Sequence, residues 1–147
     1  MTKVLFICTG NTCRSPMAEG IFRDMLRRDG NEEIMCQSAG LSALGGEPVT
    51  ENAVEVCKEI GVDISGHCAR RFTAEEIPVW DTYFTMSDTH AYILEQAGVP
   101  RDRIYVPSYI EDPFGGDLAV YRRCRDKLQE ELAEFYSRLK RYLENQL

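Results

Sequence analysis

Two rhythms of apolar and polar positions alternate along the chain. Val4-Leu5-Phe6-Ile7 follows Lys3 without a polar interruption, which predicts a short strand (Lys3–Ile7) buried on both faces. From Ser15 to about Asp29 the spacing turns helical, with Met17, Ile21, Phe22, Met25 and Leu26 along one stripe. Ser15 is read as the N-cap and Pro16 as the first helical residue. A second strand is expected over Ile34–Ser38 and a second helix over Thr50–Ile60, stopped by Gly61. Thr82–Met86 and Ile104–Val106 read as strands, with a helix between them over Asp88–Ala97 closed by Gly98 and Pro100. A long helix is expected from about Asp117 to Asn145, where Leu118, Tyr121, Leu128, Leu132, Phe135, Leu139 and Tyr142 recur at helical intervals.

Strands that alternate with helices require right-handed crossovers. The expected fold is α/β: one domain over residues 1–147, doubly wound, with a mostly parallel four-stranded sheet and helices on both faces. A net charge of −7 disfavours nucleic acid as a partner, because a polyphosphate backbone calls for a basic face. No run approaches the roughly 18 apolar residues that a membrane span needs, and the N-terminal apolar run is too short for a secretion signal. The expected setting is cytoplasmic, without membrane association. Six cysteines then read as reduced thiols rather than staples. Their spacing suits no zinc site. Cys36, Cys57, Cys68 and Cys124, set among apolar neighbours, are expected to be small buried hydrophobes.

The chemistry is concentrated between the first strand and the first helix, at the carboxyl end of the sheet where ligands bind in such folds. The segment reads Cys8-Thr9-Gly10-Asn11-Thr12-Cys13-Arg14-Ser15. Five residues between Cys8 and Arg14 can curl so that backbone N–H groups converge on phosphate oxygens. Gly10 relaxes the backbone, and Asn11 tolerates a left-handed conformation while its side chain braces the loop. The following helix adds its positive end. Inward N–H groups, Arg14 and the Ser15 hydroxyl together favour the thiolate of Cys8. Arg14 can grip two equatorial phosphoryl oxygens with its planar fork, and Cys8 can attack phosphorus to form a thiophosphate. Arg14 and the amides supply the positive charge, so neither a metal nor a cofactor is expected. A phosphate-binding module without catalysis would need neither Cys8 nor an acid. His67 and His90 stand alone in the sequence and receive no catalytic role.

The run Cys8-Thr9-Gly10-Asn11-Thr12-Cys13-Arg14-Ser15-Pro16-Met17-Ala18-Glu19 resembles the phosphate-binding loop of low-molecular-weight protein-tyrosine phosphatases. Ser38-Ala39-Gly40, the Met86–His90 stretch and Asp112-Pro113 extend the resemblance over nearly the whole chain. It implies phosphorylated proteins as substrates and a general-acid role for Asp112, which protonates the leaving group and then activates water. It also implies that Cys13 can trap an oxidised Cys8 as a disulfide. The family contains tyrosine-directed members and a bacterial arginine-directed branch. Thr12 stands where tyrosine-directed members usually carry an aliphatic residue, and it resembles the arginine branch. So does Asp112-Pro113-Phe114-Gly115-Gly116: Phe114 can form one apolar wall, while Gly115 supplies no second. Leu41–Glu47 lacks an aromatic residue as well. Phosphoarginine is the expected substrate, with phosphotyrosine as the alternative. A thioredoxin-coupled arsenate reductase of the same fold would need further cysteines, and none lies between Ala69 and Arg123.

Overall fold

All four side chains of Val4-Leu5-Phe6-Ile7 are fully buried, so the strand that carries them has to run between two covering layers. The computed structural model describes residues 1–146. Strand β1 (Thr2–Cys8) has β2 (Ile34–Gly40) on one side and β3 (Thr82–Thr85) on the other. With β4 (Ile104–Tyr105) the sheet runs in the order β2-β1-β3-β4, and every pairing is parallel. Helices α1 (Arg14–Arg28), α2 (Glu51–Lys58) and α3 (Asp88–Ala97) lie between successive strands, and α4 (Leu118–Glu144) follows the last one. The expected doubly wound α/β architecture is the one observed.

Alternation along β1 sorts its side chains between two cores. Val4, Phe6 and Cys8 face the larger one, filled from α1, α2 and α4 by residues such as Phe22, Val56 and Leu132. Leu5 and Ile7 face the other, with Ala91 and Leu94 of α3 and with Phe72 and Trp80. Edge-to-face rings knit the larger core: Phe6 lies 5.4 Å from Phe22 and 5.3 Å from Phe84, and Phe84 lies 5.2 Å from Phe135. Strand order reverses at β1, which opens a crevice at its carboxyl end. The Cys8–Arg14 loop occupies that crevice.

Three expectations change. Helix α1 begins two residues earlier than the Ser15 cap assignment allowed: Cys13 holds the cap position, with no side-chain cap bond. Pro16 therefore sits inside the first turn, where a missing N–H still forfeits no intrahelical bond. Helix α2 ends at Lys58 rather than near Ile60. Cys36, Cys57 and Cys124 are buried, but Cys68 is exposed. It belongs to an extended segment bridged to Pro48, where alternation turns Ala69 inward and Cys68 outward.

Candidate active site

The loop after β1 holds its shape through bonds from its outer side. The carbonyls of Cys8, Thr9 and Thr12 accept the backbone N–H groups of Leu41, Ser42 and Thr50, each at 2.9 Å. With carbonyls turned outward, the amides turn inward. The Asn11 N–H shows that direction, pointing at Cys8 Sγ from 3.3 Å. The left-handed residue of the loop is Asn11, at φ 57°, and not Gly10. Close packing demands glycine elsewhere: a Cβ on Gly40 would lie 2.6 Å from the Thr9 carbonyl oxygen and 2.9 Å from the Asn11 nitrogen. Both are backbone atoms that cannot swing aside.

Asn11 is fully buried, and its side chain organises the polar groups beneath the loop. Its Oδ1 accepts the Arg70 N–H at 3.0 Å, which fixes the orientation of the amide. His67 Nε2 lies 3.2 Å from that oxygen and 3.1 Å from the Asn11 carbonyl. Both are acceptors, so Nε2 carries the proton. Nδ2 then donates to Ser15 Oγ at 2.7 Å and to Ser38 Oγ at 3.0 Å. Ser15, having accepted from Asn11, has its own hydrogen left for Cys8 Sγ, 2.8 Å away. Ser38 passes its hydrogen to Glu19. Hydrogen-bond polarity thus runs toward the sulfur, which receives one hydroxyl and one amide donor.

Arg14, at the end of the loop, is buried as well. Its Nη1 donates to the Ile110 carbonyl at 3.1 Å, and Nη2 lies 3.7 Å from Asp112 Oδ2. The buried Nε has no partner among the described residues. The guanidinium is therefore anchored through one nitrogen, while the edge formed by Nε and Nη2 remains available for two oxygens of a phosphoryl group. Asp112 is half exposed and turned toward this edge. Its Oδ1 accepts the Phe114 N–H at 3.1 Å, and a turn closed by Gly116 N–H on the Pro113 carbonyl at 2.8 Å holds the segment, with Gly115 at φ 82°. Phe114 stands 71% exposed at the rim. Cys13 Sγ lies 3.9 Å from Asp112 Oδ1. Burial, reinforced by the charges of Cys8 and Asp112, pushes the Cys13 thiol up to about 12.

Every residue expected at the site is thus gathered around one crevice, although Asp112 is far from Cys8 along the chain. An anion-binding loop, a sulfur supplied with donors, an unsatisfied guanidinium edge and a carboxyl at the mouth are together suited to covalent phosphoryl transfer. Comparison with known proteins bears directly on this arrangement. The family model described as low molecular weight phosphotyrosine protein phosphatase matches residues 3–145. The chain belongs to that family.

Its phosphatase relatives include a protein-arginine-phosphatase from Bacillus subtilis, 34% identical over 94% of this chain and 97% of the relative. An arsenate reductase from Staphylococcus saprophyticus is 33% identical over 90% of this chain and 95% of that protein. Among solved structures, the YwlE arginine phosphatase with a phosphorylated serine at its mutated active-site cysteine superposes with a TM-score of 0.87. It is 32% identical, covering 95% of this chain and 96% of its own. Among the described residues of this phosphatase no group of His, Cys, Asp and Glu could hold a metal, and no helix is long and apolar enough to cross a membrane.

Both histidines set aside in the sequence belong to the site. His67 braces Asn11, and His90 Nε2 lies 2.9 Å from Thr9 Oγ1. In the sequence Ser38 and Glu19 stand out only through the family resemblance, and Arg70 not at all. Their partners lie 19 to 59 positions away or pair through a backbone amide, so no local pattern announces them.

Proposed function

We propose that this phosphatase hydrolyses phosphoarginine in proteins. The observation that carries the reading is the polar character of the mouth. Thr12 Oγ1 lies 3.7 Å from where a Cβ on Gly10 would lie, and the exposed Phe114 ring is followed by Gly115, which adds no second ring. A hydroxyl in that position can accept a guanidinium N–H, and an aliphatic side chain cannot. The similarity to protein-arginine-phosphatases supports the same reading.

In the proposed reaction the Cys8 thiolate attacks phosphorus as the P–N bond breaks. The electron pair stays on the departing nitrogen, which takes the proton of Asp112. Arg14, through Nε and Nη2, and the loop amides follow the charge on the equatorial oxygens. Asp112, now a carboxylate, removes a proton from water as the water attacks the thiophosphate and the S–P bond breaks. Phosphate leaves, and the thiolate is regenerated against the Ser15 hydroxyl and Asn11 amide. All six cysteines are free, which supports a reducing, cytoplasmic setting for this chemistry.

Phosphotyrosine is the second reading, favoured by the exposed Phe114 ring, which could pack against a phenol. Specificity constants measured on matched phosphoarginine and phosphotyrosine peptides test the choice. Phosphoarginine should be preferred, and Thr12→Ile should narrow the gap. An equal or larger constant for phosphotyrosine in the unmutated protein sinks the proposal. Loss of aryl phosphate turnover in Cys8→Ser separates an enzyme from a phosphate-binding module.

A further inference from the structure

We propose that Thr9 is a second selecting residue for the guanidine substrate, its hydroxyl turned by His90 to accept an N–H from the substrate. The assignment rests on the phosphoarginine reading and extends it to a pair of residues outside the Thr12 position.

Thr9 follows the expected nucleophile. Its carbonyl is committed to Ser42, and the residue is exposed. Thr9 Oγ1 lies 2.9 Å from Nε2 of His90, in the first turn of α3. His90 itself is 6% exposed. Its Nδ1 lies 2.9 Å from Ser87 Oγ, the oxygen that also accepts the His90 backbone N–H at 3.3 Å. Burial, followed by the Arg14 charge, lowers the ring to about 4, while the charge of Asp112 acts in the opposite sense. The ring is therefore neutral near pH 7, and it feels the charges of both of those groups.

A neutral ring allows two polarities. With the proton on Nε2, that nitrogen donates to Thr9, and the threonine presents its own hydrogen to the pocket. With the proton on Nδ1, that nitrogen donates to Ser87. Nε2 then takes the Thr9 hydrogen, and the lone pairs of Thr9 face the pocket. A guanidinium offers only N–H groups, so it selects the second polarity. The bridging oxygen of phosphotyrosine offers no hydrogen and gains nothing from it. Thr9 and Thr12 then provide two acceptors on one loop for a group rich in donors. His90 is a positioning residue that sets which end of the Thr9 hydroxyl the substrate meets.

The test is the ratio of kcat/KM for a phosphoarginine peptide to that for the matched phosphotyrosine peptide, in the full chain. Thr9→Val keeps the shape and removes the acceptor, and should lower the ratio about tenfold, as expected for one lost hydrogen bond to a charged group. Thr9→Ser should restore the ratio to within about threefold of the unmutated protein. His90→Leu should lower the ratio about three- to tenfold, with little further change when combined with Thr9→Val, because both act through one oxygen. An unchanged ratio in Thr9→Val, with both substrates slowed alike, overturns the proposal in favour of a purely structural pair. Additive losses in the double variant also overturn it. A preference for phosphotyrosine in the unmutated protein refutes the phosphoarginine reading itself, and is seen before any variant is made.

Discussion

Ser15→Ala and Ser38→Ala form a paired experiment on the hydrogen-bond polarity beneath the loop. Each serine accepts one hydrogen from the buried Asn11 amide, at 2.7 and 3.0 Å. Either substitution leaves one N–H of Nδ2 buried and unpaired, at a cost of about 1–3 kcal/mol. The two should therefore lose similar stability, read as a lowered urea midpoint with an unchanged m-value. Their effects on catalysis should differ. Only Ser15 reaches Cys8 Sγ, at 2.8 Å, and it supplies one of two donors to the sulfur. A hydrogen bond to a charged group contributes about 1.5–3 kcal/mol, which corresponds to a loss of about tenfold to 150-fold in kcat/KM for Ser15→Ala. Ser38 instead donates to Glu19, so Ser38→Ala should stay within about threefold of the unmutated rate. Steady-state kinetics on a generic aryl phosphate read both variants. Equal catalytic losses, or a Ser15→Ala enzyme within threefold of the unmutated one, would refute the polarity deduced from the Asn11 orientation.

Asp112→Asn should slow turnover of a phosphopeptide by about 10²–10⁴, and much less for an aryl phosphate whose leaving group needs no proton. Equal losses on both substrates would remove Asp112 from the general-acid role. His90 adds a pH dependence to stability. Its folded value of about 4 lies below the ordinary 6.5, so as pH falls through that window the unfolded chain takes up the proton first. Stability should fall by up to about 3 kcal/mol between pH 6.5 and 4, and chemical denaturation of His90→Asn should show a flatter profile there. Mild peroxide should produce a thiol-reversible Cys8–Cys13 linkage detectable by mass spectrometry. Recovery of only overoxidised Cys8 would show that the buried Cys13 thiol, pushed up to about 12, does not attack.

The sequence by itself determined the alternation of elements, the strand hidden on both faces, and the loop between Cys8 and Ser15. Each is written in neighbouring residues: a continuous apolar run, a helical stripe, a fixed spacing of cysteine and arginine. The short 3-10 turn at Ala74–Val79 escaped because six residues carry no readable period. Tertiary structure alone decided how the loop is braced. Gly40 has to be glycine because the Thr9 and Asn11 backbones press against it from the loop after β1. Ser15, read as a helix cap, became a donor to sulfur once Asn11 was oriented by Arg70. His90, which has no neighbour of note in the sequence, lies against Thr9 because β1 and β3 are adjacent and parallel. Local patterns record the conformation of one segment, whereas hydrogen-bond polarity and steric exclusion depend on which segments the fold brings together.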